Sequence, residues 1–188
     1  MSYETTKTDF QGILLIEPKV FIDDRGCFFE SFNSKKLYDA GIKTDFVQDN
    51  ISRSKKGVLR GMHFQLDPLA QTKLLTVLSG KIIDVAVDLR KGSPTFGKHL
   101  SIELNSENKR MVLIPKGFAH GFVALEDNTL VMYKCDNYYS PVHERGIRFN
   151  DPALNINWLL PENDLVITKR DMSFPIMSEA EMNFVYEA

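Results

Sequence analysis

The stretch Lys73-Leu74-Leu75-Thr76-Val77-Leu78-Ser79-Gly80-Lys81-Ile82-Ile83-Asp84-Val85-Ala86-Val87-Asp88-Leu89 decides the fold class. It holds two short apolar runs, rich in Val, Ile and Leu, with the turn residues Ser79 and Gly80 between them, and each run reads as a strand. The same grammar recurs on both sides. Ile13–Ile16, Val20–Ile22, Cys27–Phe32, Phe46–Ser52, Val58–Gln65, Leu100–Leu104, Met111–Ile114, Phe122–Leu125 and Leu130–Cys135 are all short and bounded by Gly, Pro, Asn, Asp or Ser. Only Ser34–Ala40 reads as a helix in the first half, with Ser34 as its cap and Gly41 as its stop. Short helical turns are expected within 162–171 and 178–186. About eleven strands with so little helix predict an all-β sandwich or jelly-roll barrel rather than alternating β-α units. The segment from Pro141 to Pro175 reads as a wrap over the barrel.

Composition narrows the class. The chain has 188 residues, which predicts a single domain over 1–188, and its 43% hydrophobic content is enough to bury a core. A net charge of −2 gives no overall field for nucleic acid, so no nucleic-acid partner is expected. No run approaches a membrane span and no leader pattern opens the sequence, so no membrane partner is expected. Two cysteines, Cys27 and Cys135, are too few for a disulfide framework and suit a reducing, cytoplasmic setting.

Strand parity shows where the patterning breaks. Lys73 shares a face with Leu75 and Val77, Tyr133 with Val131 and Cys135, and His63 with Leu59, Gly61 and Gln65. Each is a polar group on an apolar strand face. Singly, each reads as a strand end or a satisfied core residue; together, they point to a functional site.

Several segments then carry a family resemblance. They are Asp24-Arg25-Gly26-Cys27-Phe28-Phe29-Glu30, Gln48-Asp49-Asn50, Leu59-Arg60-Gly61-Met62-His63-Phe64-Gln65, Gly80 to Arg90, and Pro115-Lys116-Gly117-Phe118-Ala119-His120-Gly121-Phe122. Tyr133-Lys134-Cys135-Asp136-Asn137-Tyr138-Tyr139, Gly146 to Pro152 and Asp171 to Pro175 complete the set. In this order, over roughly residues 10–175, the chain resembles the dTDP-4-dehydrorhamnose 3,5-epimerase family. The resemblance implies a cupin-type jelly roll, a homodimer with exchanged N-terminal strands, and a dTDP-linked 4-keto-6-deoxyhexose as substrate. No cofactor is expected.

Inverting a carbon beside a ketone needs a base, a stabiliser for the enolate oxygen and an acid on the opposite face. The match carries the base onto His63 with Asp171 as its partner; imidazole suits this role because it is largely neutral near pH 7. Lys73 suits the enolate stabiliser, since an ammonium in a dry barrel acts strongly on a developing oxyanion. Tyr133 suits the acid, because a phenol stays protonated at neutral pH. Asp84 either tunes His120 or Lys73 or serves as a structural partner. For the nucleotide, the match gives Arg25 and Arg60 as diphosphate and sugar contacts, with Glu30, Gln48, Asn50 and His120 around them. Arginine provides the bidentate donors that phosphate needs. Tyr138 or Tyr139 supplies the aromatic face for thymine, Glu144 a further contact, and either Arg170 or Lys169 the charge before Asp171. Arg60 has the opposite parity to His63, so both face one cavity only if Gly61 allows a bulge or twist.

Metal-dependent cupins offer a rival reading. They hold iron, manganese or zinc with a His-x-His pair, a Glu and a later His. Here the pair has become His63-Phe64-Gln65, leaving only His63 and His120 as ligands, so no metal is expected. Other readings are inversion of C3 alone, another nucleotide such as CDP, and a jelly-roll binder that turns nothing over.

Overall fold

In the computed structural model, which describes residues 3–187, the expected strands form in the expected order. The chain opens with β1 (Tyr3–Lys7) and β2 (Leu14–Pro18), followed by the hairpin of β3 (Val20–Asp23) and β4 (Gly26–Phe29). Helix α1 (Ser34–Asp39) leads to β5 (Gln48–Ser54), β6 (Leu59–Gln65), β7 (Lys73–Ser79) and β8 (Lys81–Asp88). Then come β9 (His99–Asn105), β10 (Met111–Ile114), β11 (Phe118–Ala124), β12 (Thr129–Cys135), the short β13 (Glu144–Gly146) and helix α2 (Lys169–Met172).

The strands form two antiparallel sheets, ordered β1-β2-β10-β7-β12-β5 and β13-β6-β11-β8-β9. Their facing sides share one apolar core. Leu75 and Val77 of β7, Val112 and Ile114 of β10 and Val131 of β12 meet Ile82 and Ala86 of β8, Leu104 of β9 and Phe118 and Phe122 of β11. This is the jelly-roll arrangement that the strand count predicts.

The outer faces are covered too. Ile83, Val85 and Val87 point the other way from β8 and pack under Ile147, Phe149, Trp158, Met177 and Phe184 from the C-terminal segment. Burial on both faces explains why β8 reads as an unbroken apolar run instead of an alternating one. On the other sheet, Leu37 of α1 and Ile42 cover Ile16, Leu74, Met111 and Leu113. The segment after Pro141 therefore wraps the barrel as expected. No helix among the described residues is long and apolar enough to cross a membrane.

Some local expectations change. Asn33, not Ser34, caps α1: its side chain accepts the Lys36 N–H at 3.1 Å, while Gly41 (φ 89°) turns the chain out of the helix. Strand β11 starts at Phe118, four residues before the expected Phe122, because the motif Phe118-Ala119-His120-Gly121 itself pairs with β8. Strands β1 and β13 are absent from the sequence reading, as Tyr3–Lys7 is largely polar and Glu144–Gly146 very short. Helical turns form at Glu162–Asp164, Lys169–Met172 and Met177–Glu179, but the expected turn at 178–186 is helical only to Glu179, and Val185 forms a β-bridge with Lys91.

The local feature that positions the site is where β6 crosses β11. His63 lies opposite His120 and Arg60 opposite Phe122, so β6 carries one residue more than β11 between the two pairs. Two glycines make room for this bulge. A Cβ on Gly61 (φ 142°) would sit 2.5 Å from Gly121 Cα, and one on Gly121 would sit 2.8 Å from Arg60 O. Neither neighbour is a flexible side chain, so a methyl group must push the backbones apart. Gly61→Ala is expected to lower the stability to urea unfolding by about 1–3 kcal/mol. An unchanged urea midpoint would show that the crossing tolerates a methyl group.

Candidate active site

The mouth of the barrel opens into a cleft with two adjoining halves. The first, about 320 Å³, is lined by residues including Arg60, His63, Lys73, His120, Tyr133, Arg170 and Asp171. The second, about 380 Å³, shares His63, Lys73, Tyr133, Tyr139 and Glu144 with the first and adds Gln48, Asn50, Gln65 and Gln71. The bulge at Gly61 thus resolves the parity conflict, since Arg60 and His63 border the same space.

His63 has a fixed partner. Its Nε2 lies 3.0 Å from Asp171 Oδ1, and that carboxylate also accepts the Gly61 N–H at 3.3 Å. The Asp171 residue is only 2% exposed, and burial alone would favour its neutral form. Hydrogen bonds from His63, Gly61 and Thr168, with the charge at His63, outweigh that and hold its pKa at about 2. An ionised carboxylate has only lone pairs to offer, so the ring nitrogen facing it carries the proton and Nδ1 is left as the basic atom. Arg170 Nη2 lies 3.3 Å from the same ring nitrogen, but the nearer carboxylate decides where the proton sits. Locally, the pairing depends on α2, where the Thr168 hydroxyl accepts the Asp171 N–H at 3.2 Å and sets the first turn.

A second imidazole–carboxylate pair stands beside it. His120 Nε2 is 2.6 Å from Asp84 Oδ2, and both residues are buried. Of the alternatives for Asp84, this geometry gives it His120 as its hydrogen-bonded partner. Lys73 is deeply desolvated, which pushes its pKa down, while Cys135, Asp84 and Glu144 pull it back up. Burial is also the main reason the Tyr133 pKa is raised, so its phenol stays protonated at neutral pH.

At the outer end, polar side chains hold one another in place. Gln48 Oε1 accepts the Tyr139 N–H at 2.9 Å and Gln48 Nε2 donates to Asn50 Oδ1 at 3.2 Å. The Tyr139 hydroxyl donates to Glu144 Oε2 at 2.8 Å, and Arg170 Nη1 donates to the same oxygen at 2.9 Å. Of the open pairs, Tyr139 and Arg170 line the cleft, whereas Tyr138 and Lys169 do not. Tyr138 is 66% exposed.

Two expected contacts are not brought to this cleft by the chain's own fold. Arg25 sits at the tip of the β3–β4 hairpin, paired with Asp23 at 2.6 Å, and the hairpin strands pair only with each other. Glu30 follows that hairpin and binds Lys36 at 2.6 Å. The sequence reading also passes over Ser52, Phe122, Thr168 and Gln71, which line the cleft. Ser52 was within reach of parity, since it shares a strand face with Gln48 and Asn50; Thr168 was not, because it comes from the wrap.

The cupin metal set does not fit these residues. Gln65, at the second position of the lost His-x-His pair, donates to Leu69 O at 2.6 Å and accepts the Ser140 N–H at 2.7 Å. Its amide is committed to loop backbone. Each of His63 and His120 already has its Nε2 on a carboxylate, and among the described residues no group of three or more His, Cys, Asp or Glu side chains is placed to hold a metal ion.

Comparison with known proteins gives one consistent result. The family model described as dTDP-4-dehydrorhamnose 3,5-epimerase matches residues 7–179. The dTDP-4-dehydrorhamnose 3,5-epimerase of Shigella flexneri is 51% identical over 168 residues, spanning 89% of this chain and 92% of the relative. The crystal structure of the Legionella pneumophila dTDP-6-deoxy-D-glucose-3,5-epimerase in complex with dTDP-4-keto-L-rhamnose superposes with a TM-score of 0.90 at 45% identity, covering 94% of both chains. A 3'-monoepimerase from Streptomyces bikiniensis, in complex with dTDP-quinovose, is more distant: TM-score 0.84, 29% identity, 91% of this chain and 86% of that one. On these matches, with the jelly roll and the paired imidazoles already described, the chain belongs to the dTDP-4-dehydrorhamnose 3,5-epimerase family.

Proposed function

We propose that this protein inverts C3 and C5 of dTDP-4-dehydro-6-deoxy-D-glucose to give dTDP-4-dehydro-L-rhamnose, a step of dTDP-rhamnose biosynthesis. The observation that carries the reading is the single cavity bordered by the His63–Asp171 pair, Lys73 and Tyr133. His63 Nδ1 takes the proton from the carbon beside the C4 ketone, and the electrons of that C–H bond move into an enolate. Asp171 stabilises the imidazolium that forms. The Lys73 ammonium faces the enolate oxygen, where desolvation makes its charge count for more. Tyr133 delivers its proton to the opposite face and becomes a phenolate; exchange with water resets base and acid. Repetition at the second carbon completes the reaction with no change in oxidation state, no metal and no cofactor.

The nucleotide end follows the same logic. Arg60 and Arg170 face the diphosphate, Tyr139 offers its ring to thymine, and Gln48, Asn50, Glu144 and His120 contact or position the substrate. The whole chain acts as one cytoplasmic domain and works as a homodimer. Strand β1 pairs in register with β2 of its own chain, so the exchanged element in this reading is the β3–β4 hairpin. An isolated two-stranded hairpin is marginal in water, and this one exposes Ile22 (82%) and Phe28 (64%). Seated on a second protomer, it would carry Arg25, with Glu30 behind it, towards the partner's diphosphate site.

Turnover of dTDP-4-keto-6-deoxyglucose in deuterated water is expected to place deuterium at both C3 and C5. Label at C3 alone would assign the narrower activity of the Streptomyces relative, and no label with tight binding would make the chain a binder. Asp171→Asn removes the group that fixes the ring tautomer, and its kcat is expected to fall by about 10²- to 10⁴-fold. The same substitution tests the electrostatics. A carboxyl held at about 2, against an ordinary value of 3.8, stabilises the fold above about pH 4 and loses that contribution as pH falls towards 2. The difference in urea midpoint between wild type and Asp171→Asn should therefore shrink steadily from pH 5 to pH 3; a constant difference would contradict the assignment. For the dimer, Phe28→Asp is expected to shift sedimentation towards the monomer and to raise KM more than it lowers kcat. A monomeric wild type would remove the basis for hairpin exchange.

A further inference from the structure

Opposite His63 in the β13–β6 pairing stands Gly146. Paired residues of an antiparallel ladder project side by side on one face, so a side chain in place of Gly146 would stand against the imidazole. Backbone conformation does not explain this glycine, because its φ lies outside the left-handed range. Occupied space does. A Cβ there would fall on the Phe174 ring, 2.5 Å from Cδ2 and 2.6 Å from Cζ. That ring meets the His63 imidazole in a T-shape, with centroids 5.6 Å apart and planes at 78°.

Phe174 has no other packing role of this kind. It belongs to none of the three apolar clusters and borders neither half of the cleft. Its half-buried ring is directed at His63, with the Arg170 guanidinium carbon 6.0 Å from its centre. The backbone beneath it is held on the strand side, where Arg148 N donates to Pro175 O at 2.8 Å and Arg148 Nε to Phe174 O at 3.3 Å. Three residues earlier in the same segment, Asp171 grips Nε2 of the same imidazole. One hydrogen bond leaves a ring free to rock about it, and an aromatic ring packed against the imidazole removes that freedom. We infer that Phe174 is a positioning residue for the base, and that Gly146 lacks a side chain so that this ring can reach His63. This rests on the proposed reaction and deepens it: Asp171 fixes which nitrogen is basic, and Phe174 fixes where that nitrogen points.

The test compares wild type with Phe174→Ala, Phe174→Leu, Gly146→Ala and the double variant Phe174→Ala/Gly146→Ala. Turnover of dTDP-4-keto-6-deoxyglucose is one readout. The other is the His63 Cε1–H resonance of the free protein, assigned as the signal missing from His63→Asn. Phe174→Ala is expected to lower kcat about tenfold and to change KM less than about twofold, because the ring touches no substrate. Gly146→Ala displaces the ring and should cause a similar loss, while the double variant should lose no more than either single one. Phe174→Leu keeps apolar volume beside His63 and preserves the fold, yet is expected to lower kcat about threefold for want of a flat ring. In every variant the His63 resonance should leave its ring-current-shifted position. An unmoved resonance, a wild-type kcat in both Phe174 variants, or strictly additive losses would overturn the inference. A raised KM at unchanged kcat would make Phe174 a substrate contact and overturn it too. With wild-type turnover intact, those results leave the epimerase reading standing, whereas a wild type that exchanges no proton overturns the reading and this inference together.

Discussion

The contact between the Gly61 and Gly121 backbones is the constraint on which the site depends. Antiparallel strands alternate their side chains with period two, so Arg60 and His63, three residues apart, belong on opposite faces of a regular strand. An extra residue on β6 cancels that opposition, and it fits only because neither strand carries a Cβ at the crossing. The same shift places the Gly61 N–H against Asp171, so one irregularity supplies both the base's orientation and part of its partner's stabilisation. Bulges next to active sites serve this purpose of re-aiming a side chain.

Electrostatics divides the cleft into two regions. Deep in the barrel, each imidazole is tied to its own buried carboxylate, while Lys73 pays a desolvation cost that Asp84 and Glu144 partly offset. Burial still wins, so the pKa of Lys73 stays below that of an ordinary lysine. Toward the mouth, Arg170, Glu144 and Tyr139 form a chain of hydrogen bonds that leaves the tyrosine held by its hydroxyl and by its backbone. A held aromatic ring loses less freedom when it stacks on a base.

Much of the site was legible in advance because strand patterning makes polar intrusions conspicuous. Lys73 and Tyr133 stood out on apolar faces, and both line the cleft. The bulge at Gly61 was also foreseeable, since without it the parity of Arg60 and His63 conflicts. Arg25 and Glu30 are different: the motif that marks them is local, but which cavity a hairpin reaches depends on where the hairpin packs. Tyr138 and Tyr139 are adjacent and chemically identical, so only the path of the backbone after β12 separates them.

By itself the sequence determined the all-β class, the wrap of the C-terminal segment and the identity of the polar groups inside the barrel. These follow from periodicity and residue chemistry, which are local. The family match named Asp171 as the partner of His63, but only the tertiary structure shows how the two meet across 108 positions and selects His120 from the alternatives for Asp84. The tertiary structure alone also sets the Phe174 ring in the space that Gly146 leaves beside His63. Those outcomes depend on which strands lie side by side and on how a distant helical turn is held against them, and no spacing along the chain encodes that.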